Sequence, residues 1–76
     1  MNIFKEISRV EHDLSIINFM ADVVIIKKYI INQDKKTTYI TPEDLSEITG
    51  VSLSHIELFR KCARIRTYKR QLVIKK

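Results

Sequence analysis

The chain has 76 residues, 45% of them apolar and 30% charged, with one glycine, one proline and one cysteine. That length bounds a single domain near the lower limit of a self-sufficient core, so support from a partner subunit is expected; the lone Cys62 excludes an internal disulfide and a cysteine-based zinc site and suits a reducing cytoplasm. The net charge of +5 hides an asymmetry: residues 1–59 hold six Lys or Arg and all nine acids, net −3, whereas residues 60–76 hold eight Lys or Arg and no acid, net +8.

Apolar residues in the N-terminal third fall at positions 3, 7, 10, 14, 17, 21, 24 and 31. This step of four and three is interrupted only by Lys28, and it predicts helix over strand, with a heptad-like seam. Asp13 or Ser15 can cap a second helix, so either one long rod or a broken one fits the pattern. From Leu14 onward the segment is apolar beyond the seam, more than a helix wet on one side needs. One face is expected to pack on the rest of the domain, and the other is expected to meet a second copy through Ile3, Ile7, Val10, Leu14 and Ile17. Asn18, Asp22, Lys27 and Lys28 interrupt the most apolar stretch, which argues against a membrane span. The N-terminus lacks the basic start and small-residue cleavage site of a signal peptide, so a cytoplasmic setting is expected.

After a polar break at residues 32–36, Thr37 to Thr41 forms a β-branched and aromatic run of strand length. Thr41-Pro42-Glu43-Asp44 reads as a helix start: a capping threonine, a proline whose missing N–H costs nothing in the first turn, and two acids at the positive end of the dipole. Residues 45–61, LSEITGVSLSHIELFRK, carry the spacing of two short helices about a sharp corner. Leu45 and Ile48 are expected to form an apolar stripe on the first. Gly50 can turn the chain at positive φ, Val51 plugs the corner, Ser52 caps the second helix, and Ile56 and Phe59 face inward. Strand-like stretches at Ile65 to Tyr68 and Leu72 to Ile74 then suggest a hairpin, although Lys69, Arg70 and Gln71 include no turn-favouring Gly or Asn.

The resulting order is helix, strand, helix, helix, strand, strand. In LSEITGVSLSHI the chain resembles the Leu-(Ser/Ala)-x-x-x-Gly-Val-Ser-x-x-x-Ile pattern of the winged helix-turn-helix superfamily, which includes many small bacterial and phage transcription regulators. RIRTYKRQLVIKK is similar to the wing of excisionase-like regulators, and the resemblance covers residues 38–76, about half of the chain. It implies a mainly α fold with a small β-wing (α+β) and a DNA-binding unit over residues 34–76; the apolar seam adds an N-terminal dimerisation helix over residues 1–33, the whole forming one compact domain. It also implies DNA contact through exposed positions of the second helix, here Ser52, Leu53, Ser54, His55, Leu58 and Lys61, and backbone contacts from the wing.

Chemistry assigns further roles within that expectation. Ser54, His55 and Glu57 are candidates for base selection, and a leucine can touch a thymine methyl. Arg64, Arg66, Lys69 and Arg70 are expected to grip phosphates, joined by Arg60, Lys75 and Lys76, because neutralised phosphates release counterions. Tyr68 can stack on a base or fill a wing strand. Tyr29 and Tyr39 are expected in the core, and Cys62 as a small packed side chain beside Ala63. Leu53 and Leu58 stand where DNA readers usually carry polar residues, and Glu57 needs a cation such as Lys61 four residues on. A protein-binding module docking on transcription or replication machinery is therefore one alternative. An excisionase-like architectural DNA-binding accessory is another. His12 and His55 lie in different segments without a completing ligand cluster, and no nucleophile and base or glycine-rich phosphate loop occurs. Neither a cofactor nor catalysis is expected.

Overall fold

A computed structural model describes the backbone from Ile3 to Lys76 and the side chains from Ile16 onward. The architecture is a small α+β domain of three helices and a three-stranded antiparallel sheet. Helix α1 runs unbroken over Ile3–Ile31, followed by β1 (Thr37–Ile40), α2 (Pro42–Thr49), α3 (Leu53–Cys62), β2 (Arg66–Tyr68) and β3 (Gln71–Lys75). Neither Asp13 nor Ser15 interrupts α1. The strands order as β1-β3-β2, with Ile40 opposite Leu72, and Tyr68 opposite Gln71 across a two-residue turn.

All elements except β2 contribute to one core. Ile26 and Ile30 from α1 meet Ile40, Leu45, Val51, Ile56, Phe59, Leu72 and Ile74, with Phe19, Val23, Tyr29 and Ile65 packed around them. The α1 positions that pack inward, 19, 23, 26 and 30, follow helical spacing along one face. Ile17, Met20, Val24 and Ile31 lie on another face and remain exposed, at 60%, 61%, 51% and 66%. Ile3, Ile7, Val10 and Leu14, expected with Ile17 as a dimer seam, lie outside the residues whose side chains are described. Among the described residues no helix is long and apolar enough to cross a membrane.

The α2–α3 corner is tied locally. Thr41 accepts from the Asp44 amide at 3.1 Å and Pro42 opens the first turn. At the other end Gly50 adopts φ 75°, ψ 7°, and its amide donates to the Ser46 carbonyl, the left-handed helix stop that glycine adopts at least cost. Ser46 Oγ donates to the Val51 carbonyl at 2.6 Å, and Thr49 Oγ1 donates to the Leu45 carbonyl at 2.6 Å while accepting from the Val51 amide at 3.3 Å. These bonds seat Val51, 1% exposed, in the core.

A Cβ built on Gly50 would meet nothing within 4 Å, so a replacement here is opposed by backbone conformation alone. Gly50→Ala is expected to cost about 1 kcal/mol, the left-handed penalty of an L side chain, and to lower Tm by roughly 4–8 °C. A thermal melt checks this. An unchanged Tm would mean that the corner relaxes to another conformation.

Three sequence expectations are corrected in this region. Ile48 is 57% exposed and does not share the Leu45 stripe, because the eight-residue α2 buries only the face carrying Leu45. Tyr39 is 56% exposed, since it alternates with the inward-facing Thr38 and Ile40 on β1. Cys62 and Ala63 are also exposed, because they lie beyond Phe59, the last buried residue of α3.

Candidate nucleic-acid interface

Helix α3 begins at a capped end. Ser52 has extended backbone angles and its Oγ accepts from the His55 amide at 3.4 Å, while Ser52 Oγ and Ser54 Oγ lie 3.2 Å apart. Ile56 and Phe59 anchor the inner face. The outer face then presents Ser52, Leu53, Ser54, Leu58 and Lys61, all exposed, with Leu53 at 46% and Leu58 at 45%.

His55 and Glu57 sit differently from the sequence expectation. His55 Nδ1 lies 2.5 Å from Asp22 Oδ2 of α1, and Phe19 meets the imidazole edge-to-face with centroids 5.6 Å apart. The ring is thus turned toward α1 and half-buried between two of its residues, instead of standing free on the outer face. Glu57 pairs with Arg60 through Nε and Nη2, both at 3.2 Å, and not with Lys61. Three residues of separation bring the planar guanidinium alongside the carboxylate. Arg60 is correspondingly half-buried and partly neutralised.

The remaining cations of the C-terminal segment, Lys61, Arg64, Arg66, Lys69, Arg70, Lys75 and Lys76, are exposed and form no ion pair with an acid among the described residues. Their backbone setting is unusual. Among the described residues, the non-glycine residues at positive φ are Arg64 at 53°, Lys69 at 50° and Arg70 at 66°. Arg64 closes α3: the Ile65 amide donates to the Arg60 carbonyl at 3.0 Å and the Arg64 amide to the Lys61 carbonyl at 3.3 Å. That is a Schellman stop with arginine at the position that normally takes glycine. Lys69 and Arg70 form the whole of the β2–β3 turn, where a primed two-residue turn needs positive φ at both positions. Lys69 Nζ lies 5.4 Å from the centre of the exposed Tyr68 ring.

Ser52, Leu53, Ser54, Leu58 and Lys61 are thus gathered on the outer side of α3. Arg66, Tyr68, Lys69 and Arg70 are gathered on the hairpin, and Lys75 ends β3 with Lys76 just beyond it. Ser46 and Thr49, which set the corner, and the role of Asp22 in placing His55 carry no sequence signal. Ser46 and Thr49 meet the Val51 backbone across the Gly50 corner, and Asp22 lies 33 residues from His55. Among the described residues no three His, Cys, Asp or Glu side chains gather as a metal site would require. No family model, curated protein sequence or solved structure matches the chain.

Proposed function

We propose that the chain is a winged helix-turn-helix protein that binds double-stranded DNA and regulates transcription or a related DNA transaction. The observation that carries the reading is the placement of Arg64, Lys69 and Arg70. Each occupies a positive-φ position that glycine or asparagine would fill at lower conformational cost, and each is an exposed cation in a segment without acids. Left-handed backbone costs an ordinary residue on the order of 1–2 kcal/mol, so stability alone would favour other residues there. A polyanion supplies the missing reason, because each cation that meets a phosphate releases condensed counterions.

In this reading α3 enters the major groove with Ser52, Ser54 and Lys61 nearest the bases, while the hairpin grips phosphates or an adjacent minor groove as a wing. Asp22 holds His55 so that α3 keeps a fixed angle to α1. Selection of bound fragments from a random duplex pool tests the specific form. A recurrent motif that changes when Ser52 and Ser54 are replaced by alanine supports it. Binding without enrichment would leave an architectural accessory instead.

The exposed α1 stripe supports a second part of the proposal, a homodimer through Ile17, Met20 and Val24 that presents two α3 helices to related half-sites. Ile17→Asp with Val24→Asp changes only exposed positions. It should reduce the sedimenting mass from twice the 9.0 kDa chain to one chain. An unchanged mass rules out this interface. Leu53 and Leu58 favour one other reading, in which α3 docks on a protein of the transcription machinery, since apolar side chains on an outer helix face are typical anchors.

A further inference from the structure

The C-terminal ends of α1 and α3 and the adjoining β2–β3 ends border a groove of about 630 Å³. Its apolar lining comes from Ile30, Phe59 and Ile74 at the edge of the core, together with Ile31, Ile65 and Val73, which the core leaves partly or largely uncovered. Its charged residues are Lys27, Arg64, Arg66, Lys75 and Lys76, and no acid lines it. An apolar interior with charges of a single sign selects a ligand with an apolar body and an anionic head.

The size narrows the class further. Recognition of a helix in a groove uses anchors spread over at least two turns; a flexible chain with one charged end needs only an apolar patch beside a cationic one, and both line this groove. The volume does fall within the range of small-molecule sites, about 300–1,000 Å³. From this groove we infer that the protein binds a small amphipathic anion of the medium- to long-chain carboxylate class, its chain on Ile30, Ile31 and Ile65 and its carboxylate among Arg64, Arg66 and Lys75. Four of the five cations also belong to the face proposed for DNA, so an occupied groove opposes duplex binding. The site itself does not depend on DNA.

Titration of the full chain with dodecanoate below its micellar concentration, followed by amide chemical shifts, tests the inference. One saturable site is expected, with shifts centred on Ile30–Ile31, Ala63–Arg66 and Val73–Lys75. Each fully buried methylene tightens binding about fourfold, so dodecanoate should exceed octanoate by about 15-fold if its four extra methylenes are half-buried and by up to about 250-fold if they are fully buried. Dodecyltrimethylammonium should not saturate the site. Arg66→Glu with Lys75→Glu, both at exposed positions, should weaken dodecanoate at least about tenfold if the carboxylate sits between them. Equal binding of the cationic amphiphile, shifts centred on Ile17, Met20 and Val24, or unchanged affinity in the variant would each overturn the inference. An acidic peptide that occupies the groove while dodecanoate does not bind would overturn it as well. If the variant does not fold, the head-group comparison and the shift map of the unaltered chain still decide.

Discussion

Ile56→Ala is expected to remove about 2–5 kcal/mol of folding stability, the range for truncating a fully buried aliphatic side chain. Ile56 is 0% exposed and belongs to the buried cluster that joins α1, α2, α3 and the sheet. A domain of this length has a total stability of about 4–11 kcal/mol, so the loss is about half of it at the middle of both ranges. Leu58→Ala, two residues on and so on the opposite side of the same helix, is the control: its side chain is 45% exposed, and its expected effect is within about 0.5 kcal/mol. Urea unfolding followed by circular dichroism measures both. Similar losses in the two variants would contradict the assignment of an inner and an outer face to α3.

Arg66→Glu combined with Lys69→Glu carries the largest expected effect on binding. Neither side chain contributes to the core, so folding should be preserved. Each reversal removes a counterion-releasing contact and adds a repelling acid. Affinity should therefore fall on the order of 100-fold for every duplex, whatever its sequence, and the slope of log K against log salt should lose about two units of magnitude. Fluorescence anisotropy with unrelated duplexes checks both quantities. A loss confined to one sequence would place these residues in base recognition and not on the backbone.

Much of the fold is legible from local chemistry. Thr41-Pro42-Glu43-Asp44 starts α2, Gly50 ends it, and Ser52 starts α3, because each residue type has one inexpensive use at its position. The end of α3 and the hairpin turn are harder to read. Arg64, Lys69 and Arg70 occupy conformations for which Gly or Asn is the usual marker, and local preference there runs against the fold. The face of α1 that packs is also hidden in the sequence. Ile17 and Val24 continue the regular seam, yet it is Phe19, Val23, Ile26 and Ile30 that meet the core. Periodicity identifies an apolar helix but does not decide between two apolar faces.

Site geometry was less legible than site composition. The acid-free run after Phe59 is visible from charge alone, and so are the exposed positions of α3 that bear Ser54 and Lys61. The engagement of His55 with Asp22 is not, since it depends on how α1 crosses α3. The Glu57–Arg60 pair competes with an equally plausible Glu57–Lys61 pair at helical spacing, and the choice rests on rotamers.

The central claim is that the exposed cations of residues 61–76 serve double-stranded DNA. Its most direct test is the salt dependence of binding to a labelled duplex, read by anisotropy from about 50 to 200 mM monovalent salt. Contacts from Arg64, Arg66, Lys69 and Arg70 predict saturable binding with a log–log slope of about −3 to −4. Absence of binding at the lowest salt, or binding indifferent to salt, would contradict the claim.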